Sequence, residues 1–290
     1  MKKTFSYAIK GIGIVLFIWI LTKIDIGELK RSLTSVSLVH LLLTLILFPV
    51  IYLIKSLRWH ILSSSAGAKT TLDQSIRIYM IGMFLGIATP GKLGEAMKIP
   101  ALISRGLTLK SATGITILDR LMDIAILGLL GIWAIGSLIS VKLAGLVLVS
   151  VILLGLIAFV LRKLTLKLLP QIDTNSWARA IALTIINWAV YFLQLWILAT
   201  GFGLSINPQI FVAIMTLVGI ISILPIAPAG LGTRDAALLL FFGSLGISAE
   251  KTIAFSFTIF ALTIIASSIG AYFWIKYPIK KINAQEPLQN

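Results

Sequence analysis

The sequence contains no cysteine, which excludes disulfides, thiolate metal sites and cysteine nucleophiles without fixing the redox compartment. Charge is scarce too: 12% of the 290 residues are Asp, Glu, Lys or Arg, against about a quarter in a soluble domain. The two histidines, His40 and His60, lie at opposite ends of one apolar run, too far apart to share a metal ion. No metal site and no cofactor is therefore expected, and the absence of a nucleotide-binding motif argues against direct ATP drive. Acidic residues number only ten against 25 Lys and Arg, a formal charge of +15. In a soluble protein that surplus would point to nucleic acid. Here the cations lie mostly in short loops between apolar runs, the pattern of positive-inside membrane orientation, and no nucleic-acid partner is expected.

What the chain has in quantity is hydrophobic residues, at 58% of positions. They form apolar runs at residues 5–22, 38–57, 75–89, 93–103, 112–138, 141–161, 178–200, 209–224, 231–245 and 252–275. Six of these are long enough to cross a hydrocarbon core of about 30 Å. The first begins among lysines but has no small-residue cleavage site and ends at Lys23 and Asp25, so it reads as a retained span. The other four runs form two pairs, each broken at its centre by proline and glycine: Pro90-Gly91 in one and Pro228-Ala229-Gly230 in the other. Two short runs meeting at such a break suggest a hairpin that enters the membrane and turns back.

Both breaks share the spacing Pro-x-x-Leu-Gly, and Pro90 and Pro228 lie 138 residues apart. The same offset brings the other spans of the two halves near one another. The expected fold is an all-α polytopic helical membrane protein, a single transmembrane domain over residues 1–290. It comprises two inverted repeats, about 1–138 and 139–278, each of three spans plus a broken or re-entrant helical hairpin, and a short tail at 279–290. Three crossings per unit invert the second unit, an architecture typical of transporters. With both termini cytoplasmic, about 16 of the 25 Lys and Arg fall inside and about five outside. Lys2, Lys3, Lys69, Lys110, Arg162, Lys163, Lys167, Lys280 and Lys281 are all on the inner side in this topology. The expected location is the cell membrane. Hairpins that cross fully would give eight to ten spans with the same end orientation.

Lys92, Lys98, Arg120 and Arg234 remain in or near the membrane, with the acids Glu95, Asp119, Asp123 and Asp235. Such residues are costly in lipid and imply a polar interior. Asp119 to Asp123 sit about ten residues into their span, roughly 15 Å deep at 1.5 Å per residue. Arg120 and Asp123 can pair along the helix, and Asp119 and Asp123 share a face. A helix starting after Pro90 would aim the free amides of Gly91 to Gly94 inward, where its dipole and Lys92 favour an anion. Gly230 to Gly232 offer the same device with Arg234 as the cation. A phosphate-bearing lipid headgroup suits these parts. The plainer readings are a mere turn at each Pro-Gly break and a neutralised pair that locks helices at Asp119-Arg120-x-x-Asp123. Lys55 and Arg58 read first as snorkelling anchors at a span end and second as ligands, Trp59 as an interfacial aromatic and Pro49 as a kink.

Four motifs together resemble a known family: Lys55-x-x-Arg58-Trp59, Gly86-x-x-x-Pro90-Gly91-x-x-Gly94-Glu95-x-x-Lys98, Asp119-Arg120-x-x-Asp123, and Pro225-x-x-Pro228-x-Gly230-x-Gly232-x-Arg234-Asp235. In this order they look like the transmembrane region of lysylphosphatidylglycerol synthases, a flippase-like membrane family, over almost the whole chain. The resemblance implies movement of an anionic or aminoacylated phospholipid, or of a polyprenyl-phosphate carrier, between leaflets. It places substrate contacts at Pro90, Gly91, Gly94 and Glu95 and at Gly230, Gly232, Arg234 and Asp235. Two departures stand out. Asp235 replaces the usual Glu, a shorter carboxylate, and no soluble aminoacyl-transfer domain follows Asn290, so synthesis of the lysyl lipid is not expected of this chain.

The leading expectation is a transporter rather than an enzyme, binding a lipid headgroup at the two hairpin tips and Arg120. A membrane-embedded lipid-phosphate enzyme is disfavoured by the missing His, Cys or metal constellation. An accessory protein of a lipid or glycan pathway is the other alternative. A homo-oligomer or a lipid-pathway enzyme are the partners to consider.

Overall fold

The computed structural model describes residues 18–87, 89–160, 171–223 and 232–277. The first expected span lies mostly outside these residues, as do Pro228, Gly230 and the expected tail. Every regular element described is helical: α1 (Ile26–Ser35), α2 (Leu38–Ser65), α3 (Leu72–Ile87), a 3-10 turn (Pro90–Met97), α4 (Lys98–Ile103), α5 (Leu109–Leu138), α6 (Val141–Val160), α7 (Thr174–Gly201), α8 (Pro208–Ile223), α9 (Thr233–Ser244) and α10 (Ala249–Lys276). Among them α2, α5, α7 and α10 are 28 to 30 residues long and apolar enough to cross a membrane. In lipid a spanning segment must satisfy its own backbone, so apolar sequence of this length adopts helix.

Local chemistry marks where the helices begin. Asp25, Thr108, Asp173 and Ser248 cap α1, α5, α7 and α10 by accepting from backbone amides three residues on. Gly106, at φ +96°, turns the chain between α4 and α5 in a conformation that other residues adopt at a cost. Pro49 sits inside α2 without ending it.

The long spans α2 and α7 run antiparallel. Ser37, just before α2, donates its amide to the Gly201 carbonyl at the end of α7 (3.3 Å), and Gln194 Nε2 donates to the Thr44 carbonyl (2.8 Å). At the other end Ser65 Oγ donates to Asp173 Oδ2 (2.7 Å), just before α7. The hydroxyls of Ser176 and Ser65 hold the Asp173 carboxyl below the ordinary carboxylate range. Around this pair the packing is reciprocal: α3 lies against α10, and its counterpart α8 against α5. Both crossings use a glycine. A β-carbon on Gly270 would stand 2.2 Å from the Met80 carbonyl oxygen, and one on Gly131 would stand 2.6 Å from Ile220 Cδ1.

Each half also has its own core. Trp59, Leu62, Tyr79, Leu102 and Ile115 are buried together in the first. Phe211, Phe242 and Phe255 are buried in the second, with ring centroids 5.8 Å apart for Phe242 and Phe255. The hairpin arms are short. At 1.5 Å per residue, the 16-residue α3 measures about 24 Å and the 12-residue α9 about 18 Å, less than a core of about 30 Å. That length suits re-entrant arms better than full crossings.

Candidate functional site

The 3-10 turn replaces the α-helix that the sequence suggests after Pro90, with α4 following from Lys98. Thr89 shapes the turn: its hydroxyl donates to the Leu85 carbonyl (2.9 Å) and accepts from the Gly94 amide (2.6 Å). A β-carbon at Gly94 would stand 2.1 Å from the Leu85 oxygen, so only glycine lets the turn fold back this tightly. One face of α3 is hollowed by Gly82 and Gly86. Positions a β-carbon would take there lie 2.8 Å from Lys98 Cγ and 2.9 Å from Glu95 Cγ. The glycines thus make room for two buried charged side chains. Pro90, Gly91 and Lys92 open the turn, and their side chains fall outside the described residues.

Arg58 is the centre of the site, with a side chain 1% exposed. Its Nε and Nη2 donate to Asp119 Oδ1 at 2.9 and 2.7 Å, Nη1 donates to Asp123 Oδ1 at 2.8 Å, and Nη1 also reaches Thr184 Oγ1 on α7 at 3.1 Å. Lys55 Nζ donates to Asp123 Oδ2 (3.0 Å). Lys98 Nζ donates to Glu95 Oε2 (3.1 Å) and Asp119 Oδ2 (3.2 Å), and lies 4.2 Å from the centre of the Tyr79 ring. Tyr79 adds its hydroxyl to Asp119 Oδ2 (3.3 Å). Arg120 closes the network by pairing with Glu95 Oε1.

This geometry corrects several expectations. Arg58 is no snorkelling anchor, because α2 runs on for seven residues beyond it to Ser65 and places its guanidinium among the carboxylates of α5. Trp59 is fully buried rather than interfacial, packed edge-on against Tyr79. Asp123 pairs with Lys55 and Arg58 rather than with Arg120, which turns to the hairpin. Asp119 and Asp123 share a face as expected, held by one guanidinium. Sequence reading passed over Tyr79 and Thr184, whose types are common in any helix.

A second polar group forms where α9 begins. Gly232, at φ +80°, donates its amide to Asp235 Oδ2 (2.7 Å), and Ser256 Oγ on α10 donates to Asp235 Oδ1. Arg234 donates through Nε to Ser256 Oγ (2.8 Å) and through Nη2 to the Ser256 carbonyl (3.1 Å). Arg234 and Asp235 are therefore tied to α10 through Ser256, another residue without a sequence signal.

Charge decides what the first group can hold. Lys55, Arg58, Lys98 and Arg120 face Glu95, Asp119 and Asp123, so four formal positive charges meet three negative ones. Buried cations need anionic partners, and among the described residues of the cluster one positive charge is left over. Arg120 is the most accessible of the four, its side chain 27% exposed against 13%, 1% and 0% for Lys55, Arg58 and Lys98.

Comparison with known proteins agrees with an all-α membrane fold. The family described as Lysylphosphatidylglycerol synthase TM region matches residues 7–270. A UPF0104 membrane protein of Methanothermobacter thermautotrophicus is 21% identical over 294 aligned positions, covering 84% of this chain and 86% of that protein.

Proposed function

Because this chain belongs to the lysylphosphatidylglycerol synthase TM region family, we propose that it is a lipid translocase of the cell membrane that carries an anionic headgroup between leaflets. The observation that carries this reading is the surplus cation of the buried cluster, with Arg120 as its accessible member. A headgroup phosphate pairs with Arg120 beside the 3-10 turn while the acyl chains stay in the bilayer. Guanidinium is suited to this task, since its planar fork matches phosphate oxygens in pairs. The antiparallel repeats support alternating exposure: in inverted-repeat transporters, one unit rocks against the other around a central site. The repeats proposed here are about residues 1–138 and 139–278, with the Gly232, Arg234 and Asp235 group as a second headgroup contact and both termini cytoplasmic.

The test is exchange of a fluorescent anionic phospholipid between leaflets of proteoliposomes. Protein-dependent exchange that is lost in Arg120→Ala supports the reading. Exchange that survives the substitution unchanged removes Arg120 from it, and chemical conversion of the lipid would instead reveal an enzyme.

A further inference from the structure

Glu95 holds an unusual place in the cluster. Its carboxylate is 3% exposed and stands between two cations, Oε2 on Lys98 and Oε1 on Arg120. The other two carboxylates are occupied elsewhere: Asp119 and Asp123 share Arg58, with Lys98 and Tyr79 also on Asp119 and Lys55 on Asp123. An anion that approaches the accessible side of Arg120 therefore competes with Glu95, the acid that Arg120 pairs with among the described residues. Glu95 already sits where such an anion would bind.

Displacement has a consequence for protons. A carboxylate pushed off Arg120 keeps only its contact with Lys98 and lies, largely buried, beside the incoming anion. Two like charges at such distance cannot both stay ionised cheaply, and one takes up a proton. A phosphodiester is a strong acid and keeps its charge, which leaves the proton to Glu95. The turn that carries Glu95 is eight residues of 3-10 helix, longer than the usual three or four.

We propose that Glu95 is an internal surrogate for the substrate anion, and that a phospholipid phosphodiester binds Arg120 by displacing it with uptake of one proton. In this scheme the Glu95–Arg120 ion pair breaks, the phosphodiester oxygen pairs with Arg120, and the Glu95 carboxylate becomes a carboxylic acid. The groups that face Glu95 are Lys98 on α4, Arg120 and Asp119 on α5 and, through Lys98, Tyr79 on α3. Asp119 is engaged by Arg58 instead. The inference rests on the anion-site reading above and makes transport of the lipid dependent on a proton.

The experiment is calorimetric titration of the purified full chain in detergent with dihexanoyl phosphatidylglycerol, in two buffers of unlike ionisation enthalpy. The expected result is uptake of about one proton per lipid bound, with affinity falling about tenfold per pH unit of rise while Glu95 is ionised in the empty protein. Glu95→Gln, which carries no titrating group, is expected to bind without proton uptake and without that slope. Binding with a buffer-independent heat overturns the proposal but leaves the anion site standing. Failure to bind any anionic lipid removes the anion site itself. Should Glu95→Gln fail to fold, the proton count of the unaltered protein decides alone. Glycerol 3-phosphate titrated in parallel separates a free headgroup from a lipid, and equal affinity for it overturns the lipid assignment.

Discussion

Gly270 crosses the backbone of Met80 so closely that any β-carbon there would stand 2.2 Å from the Met80 carbonyl oxygen. Gly131 plays the matching part against Ile220 in the other half. These contacts bind α10 to α3 and α5 to α8. Small residues at such crossings let helix backbones approach where lipid offers no hydrophobic drive for association.

Gly270→Val is expected to lower stability by more than the roughly 1 to 3 kcal/mol typical of overpacking, since the obstruction is backbone that cannot rotate away. Gly131→Val is expected to cost less, because Ile220 Cδ1 can move. Melting of the detergent-solubilised protein, followed by tryptophan fluorescence, gives the order of the two.

Arg58→Ala leaves Asp119 and Asp123 buried without their shared guanidinium. Removing one member of a buried ion pair costs about 3 to 5 kcal/mol, so loss of the folded protein is expected. Arg58→Lys rescues poorly, because a single ammonium cannot replace the fork that holds both acids. Monodisperse elution on size-exclusion chromatography reports both outcomes, and an Arg58→Lys variant as stable as the parent would contradict the geometry.

Ser256→Ala removes the hydroxyl that joins Arg234 to Asp235. Each buried polar group left unsatisfied costs about 1 to 3 kcal/mol, and the fall in melting temperature measures it. Ser256→Thr, which keeps the hydroxyl, is expected to lose less.

The Ser65 and Asp173 contact makes stability depend on pH. The Asp173 carboxyl is held below its ordinary range in the folded protein, so its contribution is full above about pH 4, where the unfolded carboxyl is also ionised, and declines as acid protonates it. Asp173→Asn is expected to flatten the acid limb of a plot of melting temperature against pH. An unchanged acid limb would show that other carboxylates carry it.

The break after α3 was legible because Pro90 and Gly91 punctuate an otherwise apolar sequence, whereas the matching break at Pro228 lies outside the described residues. Arg58 was harder to read. Hydropathy falls away after Leu57, so the apolar run ends there, yet α2 continues because Arg58 and Trp59 find partners inside the protein. Hydropathy ranks a residue as if lipid or water surrounded it and is blind to a carboxylate on another helix. The pairing of Arg120 with Glu95 rather than Asp123 was hidden for the same reason: helix spacing shows which residues share a face but not what that face meets. Gly131, Gly270, Thr184 and Ser256 matter through their neighbours alone, and a single sequence gives no sign of them.

The tally of four cations and three carboxylates also bears on membrane voltage. A potential of 100 mV does about 2.3 kcal/mol of work on each elementary charge that crosses it. If a monovalent lipid anion arrives with one proton, the empty and occupied clusters carry equal charge, whatever share of the field they traverse. In the cycle proposed above, the electrical work of the two strokes then cancels, leaving the concentration gradients of lipid and proton as the drive.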